Sequence, residues 1–132
     1  MGYTKRTSVS GSFDEAVEAT TDALEDEGFG VLCDIDVRAT FKEKLDEKFR
    51  QYRILGACSP GLAHEGLSEE VGLGALLPCN FVVYETDDGE VVVSAVSPQK
   101  LVGVADNRAL DTIAEEVEES FDRVLSAVGE RT

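Results

Sequence analysis

The spacing of apolar positions changes several times along the chain, and each change marks an element. Residues 3–9 (YTKRTSV) alternate weakly and predict a first strand at a sheet edge. Ser12, with Glu15 three residues on, makes a capping box. Phe13, Ala16, Val17, Thr20 and Leu24 then share one helical face, opposite Asp14, Glu15, Glu18, Asp22 and Glu25. Gly28 closes that helix. Residues 29–37 (FGVLCDIDV) alternate strictly, which predicts a half-buried strand with Phe29, Val31, Cys33, Ile35 and Val37 on the inner side. A short amphipathic helix over 40–49 turns Phe41, Leu45 and Phe49 inward, and 51–58 (QYRILGAC) reads as a strand. Pro60 and Gly61 break it and open a short helix over about 61–70.

After a glycine-rich link at 71–77, the strand-like runs 79–85 and 90–96 flank Asp87-Asp88-Gly89, a hairpin signal. Pro98 ends the pair, and a loop runs to about 107. A long helix over 108–128 places Leu110, Ile113, Ala114, Val117, Phe121, Val124, Leu125 and Val128 on one stripe, with an almost wholly acidic opposite face.

The resulting order is β-α-β-β-β-β-α with short helices in the connections. Two long amphipathic helices and one sheet predict an α+β two-layer sandwich with a mainly antiparallel, five-stranded sheet. The chain of 132 residues suits a single domain. In such a sandwich one sheet face is left uncovered. Val91, Val92 and Val93 are apolar on both sides of their strand, so the open face predicts pairing with a second copy as a homodimer.

Charge narrows the function classes. With 27 acidic and 12 basic residues the net charge is −15, a balance that repels nucleic acid and anionic membranes. Acid spread over the whole length with little lysine resembles proteins adapted to a salt-rich cytoplasm, where the Debye length shrinks to a few ångströms. No apolar run is long enough for a transmembrane helix, and the N-terminus shows no apolar signal core. A cytoplasmic location is the expectation, and there thiols are kept reduced.

The candidate chemistry lies in two cysteine-bearing segments. Cys58 closes one strand and Cys79 opens the next, so antiparallel pairing would bring the two sulfurs together. His64, the only histidine, sits between them and could reach back by one helical turn. Two cysteines and a histidine could form an open metal site with one vacant position, and soft sulfur ligands favour zinc or cuprous copper. Without metal, His64 beside Cys58 would raise its thiolate fraction for reversible thiol chemistry. Two alternatives stand beside this site. The cysteines could simply pack inside an interaction module, or a small-ligand enzyme could hold its pocket under residues 59–78, with the glycine-rich link at 71–77 moving as a lid. Cys33 reads as core, and Asp34 and Asp36 as solvated charges. Gly72-Leu73-Gly74 begins a dinucleotide fingerprint but lacks its third glycine and its strand–helix context.

Several separated segments resemble the domain of unknown function 302 family, from about residue 12 to 125. They are Ile35-Asp36-Val37, Lys42-Glu43-Lys44-Leu45, Tyr52 through Cys58, Pro60, Leu62-Ala63-His64, and Leu76-Leu77-Pro78-Cys79-Asn80. Cys58, His64 and Cys79 fall on its motif positions. Ser59 stands where the family usually has Asn before the proline. The resemblance implies a fold like that of the TATA-binding protein, without implying DNA binding.

Overall fold

A computed structural model describes residues 2–130. Five strands form one antiparallel sheet: β1 (Thr4–Val9), β2 (Gly30–Asp36), β3 (Tyr52–Cys58), β4 (Cys79–Glu85) and β5 (Val91–Val96). Their spatial order is β1-β5-β4-β3-β2, so β2 to β5 make a meander and β1 closes its far edge. Two long helices, α1 (Phe13–Asp26) and α5 (Asp111–Glu130), pack together on one face. The architecture is the α+β two-layer sandwich that the periodicity predicts.

Local chemistry sets the element ends as read from the sequence. Ser12 and Glu15 satisfy each other's backbone N–H groups at the start of α1. Gly28, at φ +85°, takes the left-handed turn that leads into β2. The β4–β5 connection turns at Gly89, φ +86°, where the Gly89 and Thr86 N–H groups donate to Thr86 and Glu90 carbonyls.

The core lies between the helices and the inner face of the sheet. Leu55, Phe81, Val83 and Val93 from the strands meet Leu24 of α1 and Phe121, Val124 and Val128 of α5. Phe81 meets Phe121 edge-on at 4.7 Å between ring centres, and Phe29 lies 5.2 Å from Phe121.

The strand β2 departs from the alternating reading. Val31 pairs with Ala57, but Cys33 pairs with Gly56, so Leu32 is an extra residue in a bulge. One inserted residue inverts every side chain beyond it. Cys33 and Ile35 therefore point away from the core and are exposed, whereas the sequence places them inside. Asp34 moves to the helix side, where Arg53 donates to both its carboxylate oxygens.

The next helix also starts early. Asp36 accepts from the Ala39 N–H at 2.9 Å, so α2 spans Val37–Leu45 rather than 40–49. Asp46, at φ +53°, ends it. Leu45 and Phe49 are 63% and 40% exposed, not inward. Phe49 instead stacks edge-on against Phe41 and leans towards Tyr52.

The segment after β5 is more ordered than the loop expected there. It forms α4 (Pro98–Gly103), capped by Ser97, and a 3-10 turn at Arg108–Leu110. A buried carboxylate pins α4 to α5. Glu118 accepts from the Ser97 hydroxyl at 2.8 Å and from the Gln99 N–H at 3.2 Å, and Lys5 of β1 lies 2.9 Å away. Burial alone would push the Glu118 carboxyl up, but these three partners together hold it below its ordinary value. No helix of the described residues is long and apolar enough to cross a membrane.

Candidate functional site

The meander leaves a gap beside the ends of β3 and β4, and the connections around it close into a cavity. After Cys58, Pro60 starts α3 (Pro60–Glu69) at a position where its missing N–H costs nothing. The helix turns Leu62, Ala63, Gly66 and Leu67 inward. The glycine-rich link is an ordered 3-10 helix, Val71–Leu76, whose Leu73 is buried against Gly66. A Cβ on Gly66 would come within 2.9 Å of Leu73 Cδ2, so glycine lets this wall lie close. Asn107 donates to Glu70 at 2.8 Å and ties the wall to the start of α5.

The cavity, open to solvent on one side, measures about 330 Å³. Its far side is made by Val102 of α4 and by Ile113, Ala114 and Val117 of α5. The bulged Leu32 stands at its rim, and Phe29 lines its inner wall. Among its lining side chains only Ser59 carries a hydroxyl, and only Cys58 and Cys79 carry sulfur. Ligand sites of roughly 300–1,000 Å³, mostly apolar with a few polar groups, are the usual form of a small-molecule pocket.

Both cysteines line this cavity, one residue out of register. Cys79 lies opposite Ala57 rather than Cys58, so strand alternation gives the two side chains opposite phase, although both line the pocket at these strand ends. Both are free. Cys79 is buried and Cys58 half-buried. Burial, and secondly the nearby Cys58, push the Cys79 thiol up to about 11. Cys79 is thus a protonated thiol at neutral pH.

His64 does not join them. It is exposed on α3 and is not among the residues that line the pocket. Among the described residues, no group of three or more His, Cys, Asp or Glu side chains comes together. The three-ligand arrangement of Cys58, His64 and Cys79 that the sequence suggests is therefore not assembled in this structure. The physical reason is helical phase. An inward Leu62–Ala63 pair and an inward Gly66–Leu67 pair leave position 64 outside.

Sequence reasoning placed the pocket under residues 59–78 but missed its other half. Val102, Ile113, Ala114 and Val117 read as ordinary core because the α5 stripe gives no sign that its N-terminal part faces a void. One signal was available: the apolar pairs at 62/63 and 66/67 form an inward stripe on a helix that no other sequence feature explains.

The Cys79 thiol gives a direct chemical test. Its folded value lies above the ordinary thiol value, so its contribution to stability is complete below that value and is lost as pH rises towards 11. At pH 8 only roughly one molecule in a thousand carries a thiolate there. Iodoacetamide at pH 8 should label the exposed Cys33 readily and leave Cys79 at least about a hundredfold slower than in urea-unfolded protein. Mass-spectrometric mapping checks this, and rapid native labelling of Cys79 would refute the buried thiol.

The family described as Domain of unknown function DUF302 matches residues 4–128. An uncharacterized conserved protein DUF302 from Bacillus stearothermophilus has a similar crystal structure, at a TM-score of 0.90. The two share 30% identity over 97% of this chain and 99% of that one. No curated protein matches the chain.

Proposed function

The chain belongs to the domain of unknown function 302 family, and we propose that it is a binding module for a small, predominantly apolar molecule held between α3, α4 and α5. The observation that carries this reading is the composition of the 330 Å³ cavity, walled by Leu, Val, Ile, Ala and Phe side chains with one hydroxyl and two thiols. Burying apolar ligand surface there is favourable by roughly 25 cal/mol per Å². A protein of net charge −15 that keeps charged side chains out of this lining excludes ionic substrates from it.

A titration with the neutral fluorophore N-phenyl-1-naphthylamine, in molar salt, tests the proposal. Saturable fluorescence enhancement, competed by 1-decanol, is expected. Ala63→Phe and Val102→Phe each push a ring into the cavity and should weaken binding by about tenfold or more, at least ~1.4 kcal/mol. Circular dichroism identifies which variants fold. Absence of saturable binding by the unmodified protein, or unchanged binding in the folded variants, would overturn the reading.

The thiol pair supports a second reading, reversible thiol chemistry or capture of a soft ion such as zinc or cuprous copper by Cys58 and Cys79. What supports it is that both thiols line the same cavity and that Cys58 lies near enough to raise the Cys79 thiol. Under the first reading Cys58→Ser leaves fluorophore binding within about twofold, because the thiol is only a wall; under the second, the same change abolishes cuprous-ion uptake measured by native mass spectrometry.

A further inference from the structure

The face of the sheet opposite α1 and α5 has no layer over it; Thr4, Arg6, Ser8, Asn80 and Ser94 share it with an apolar patch on β2 to β5. Strand alternation and the β2 bulge place Ile35, Tyr52, Ile54, Val82, Tyr84 and Val92 on it. Tyr52 and Tyr84 stack at 5.6 Å. Ile35 is 45% exposed, and Ile54, Val82 and Tyr84 are only half-buried. Helix α2 and the Phe49 segment flank one end of the face through the Phe41–Phe49–Tyr52 contacts and leave the rest open.

Charge says what covers it. Of the 27 acidic residues in the chain, none occupies an open-face position in any of the five strands. Asp34, Asp36 and Glu85, the acidic residues inside strands, all have the opposite phase. The acid is concentrated instead on the outer side of the helical layer, as in Glu115, Glu116 and Glu119 of α5. A basic partner would be drawn to that helical layer. A two-fold contact places a patch against itself, so two chains of charge −15 meet most favourably where the patch is free of carboxylates. The open sheet face meets this condition, and it sets the two acidic helical layers on opposite outer sides of the pair, as far apart as the fold permits.

We propose that this face is covered by a second copy of the chain, sheet against sheet, in a two-fold dimer centred on Ile54 and Val82. Sheets packed this way stand about 10 Å apart, which leaves room for the half-buried aliphatic side chains of both copies to interdigitate. The Tyr52–Tyr84 pair lies towards one end of the contact, where a phenol can keep its hydroxyl hydrated while its ring is covered.

Size-exclusion chromatography with light scattering, on the full chain in molar salt at micromolar concentration, tests the dimer. The unmodified protein is expected at twice the chain mass. Ile54→Glu and Ile35→Glu should weaken association by more than tenfold, because each buries an unpaired carboxylate in the contact. Ile35 is already partly in water, so its substitution spares the fold even if Ile54→Glu does not. Val71→Glu, at the exposed 3-10 helix off the sheet, should leave the dimer intact. A monomeric unmodified protein, a dimer that survives Ile35→Glu, or equal disruption by Val71→Glu would each overturn the assignment.

Discussion

Replacing Phe121 by alanine is expected to destabilise the fold by about 3–5 kcal/mol, against a usual total of about 5–15 kcal/mol. Phe121 is 2% exposed and sits where three parts of the molecule meet. Its ring takes the edge-on contact from Phe81 of β4 and the tilted contact from Phe29 at the entry to β2. Removing it leaves a void that Phe81 and Val83 on the sheet cannot move to fill. Each lost aromatic pair contributes about 0.5–1.5 kcal/mol beyond buried area. Because Phe29 also lines the pocket, the same change withdraws support from the pocket wall. Urea denaturation followed by circular dichroism in high salt measures the loss, with Phe121→Leu expected to recover part of it. A cost below about 1 kcal/mol would show that the neighbours collapse into the gap and that the aromatic cluster is not what joins sheet to helix.

Phe121 was visible in the sequence, and so was most of the architecture, because long helices and central strands carry periods that one residue cannot disguise. The seven members of the α5 stripe between 113 and 128 needed only a 3.6-residue count. The β4–β5 hairpin needed only Gly89 between two valine-rich runs. Errors gathered where a single backbone event resets the phase. Leu32 is apolar in an apolar–polar alternation, so nothing marks it as the extra residue of a bulge, yet it sends Cys33 and Ile35 to the opposite face. Asp36 reads equally well as a polar strand residue or as a helix cap, and only its hydrogen bond to Ala39 decides. At the candidate site the strand ends that carry Cys58 and Cys79 were legible, but not the one-residue offset between them. The position of His64 was not legible either, because a one-residue change in the start of α3 swings that side chain by about 100°, the turn per residue of an α-helix.

Gly56→Ala is expected to cost about 1–3 kcal/mol although it adds a single methyl group. A Cβ at this position would come within 2.6 Å of Cys33 Sγ on one side and 2.7 Å of Pro78 Cγ on the other. The two obstacles differ in kind. Cys33 is exposed at an edge strand, and its sulfur can rotate away. Pro78 is a closed ring that also lines the cavity and leads directly into β4, so it can retreat only by moving backbone. The order of effects in a double-mutant cycle follows from this difference. Cys33→Ala alone should be nearly neutral, and combined with Gly56→Ala it should return less than half of the loss, because the proline contact persists. Complete rescue by Cys33→Ala would show that the sulfur was the only obstacle and that the Pro78 segment is soft. If the proline does resist, the added methyl displaces the wall that carries Leu77, Pro78 and Cys79, and fluorophore binding should weaken together with stability. Gly56 would then couple the open face of the sheet, where its missing side chain would point, to the pocket on the other side of the same strand.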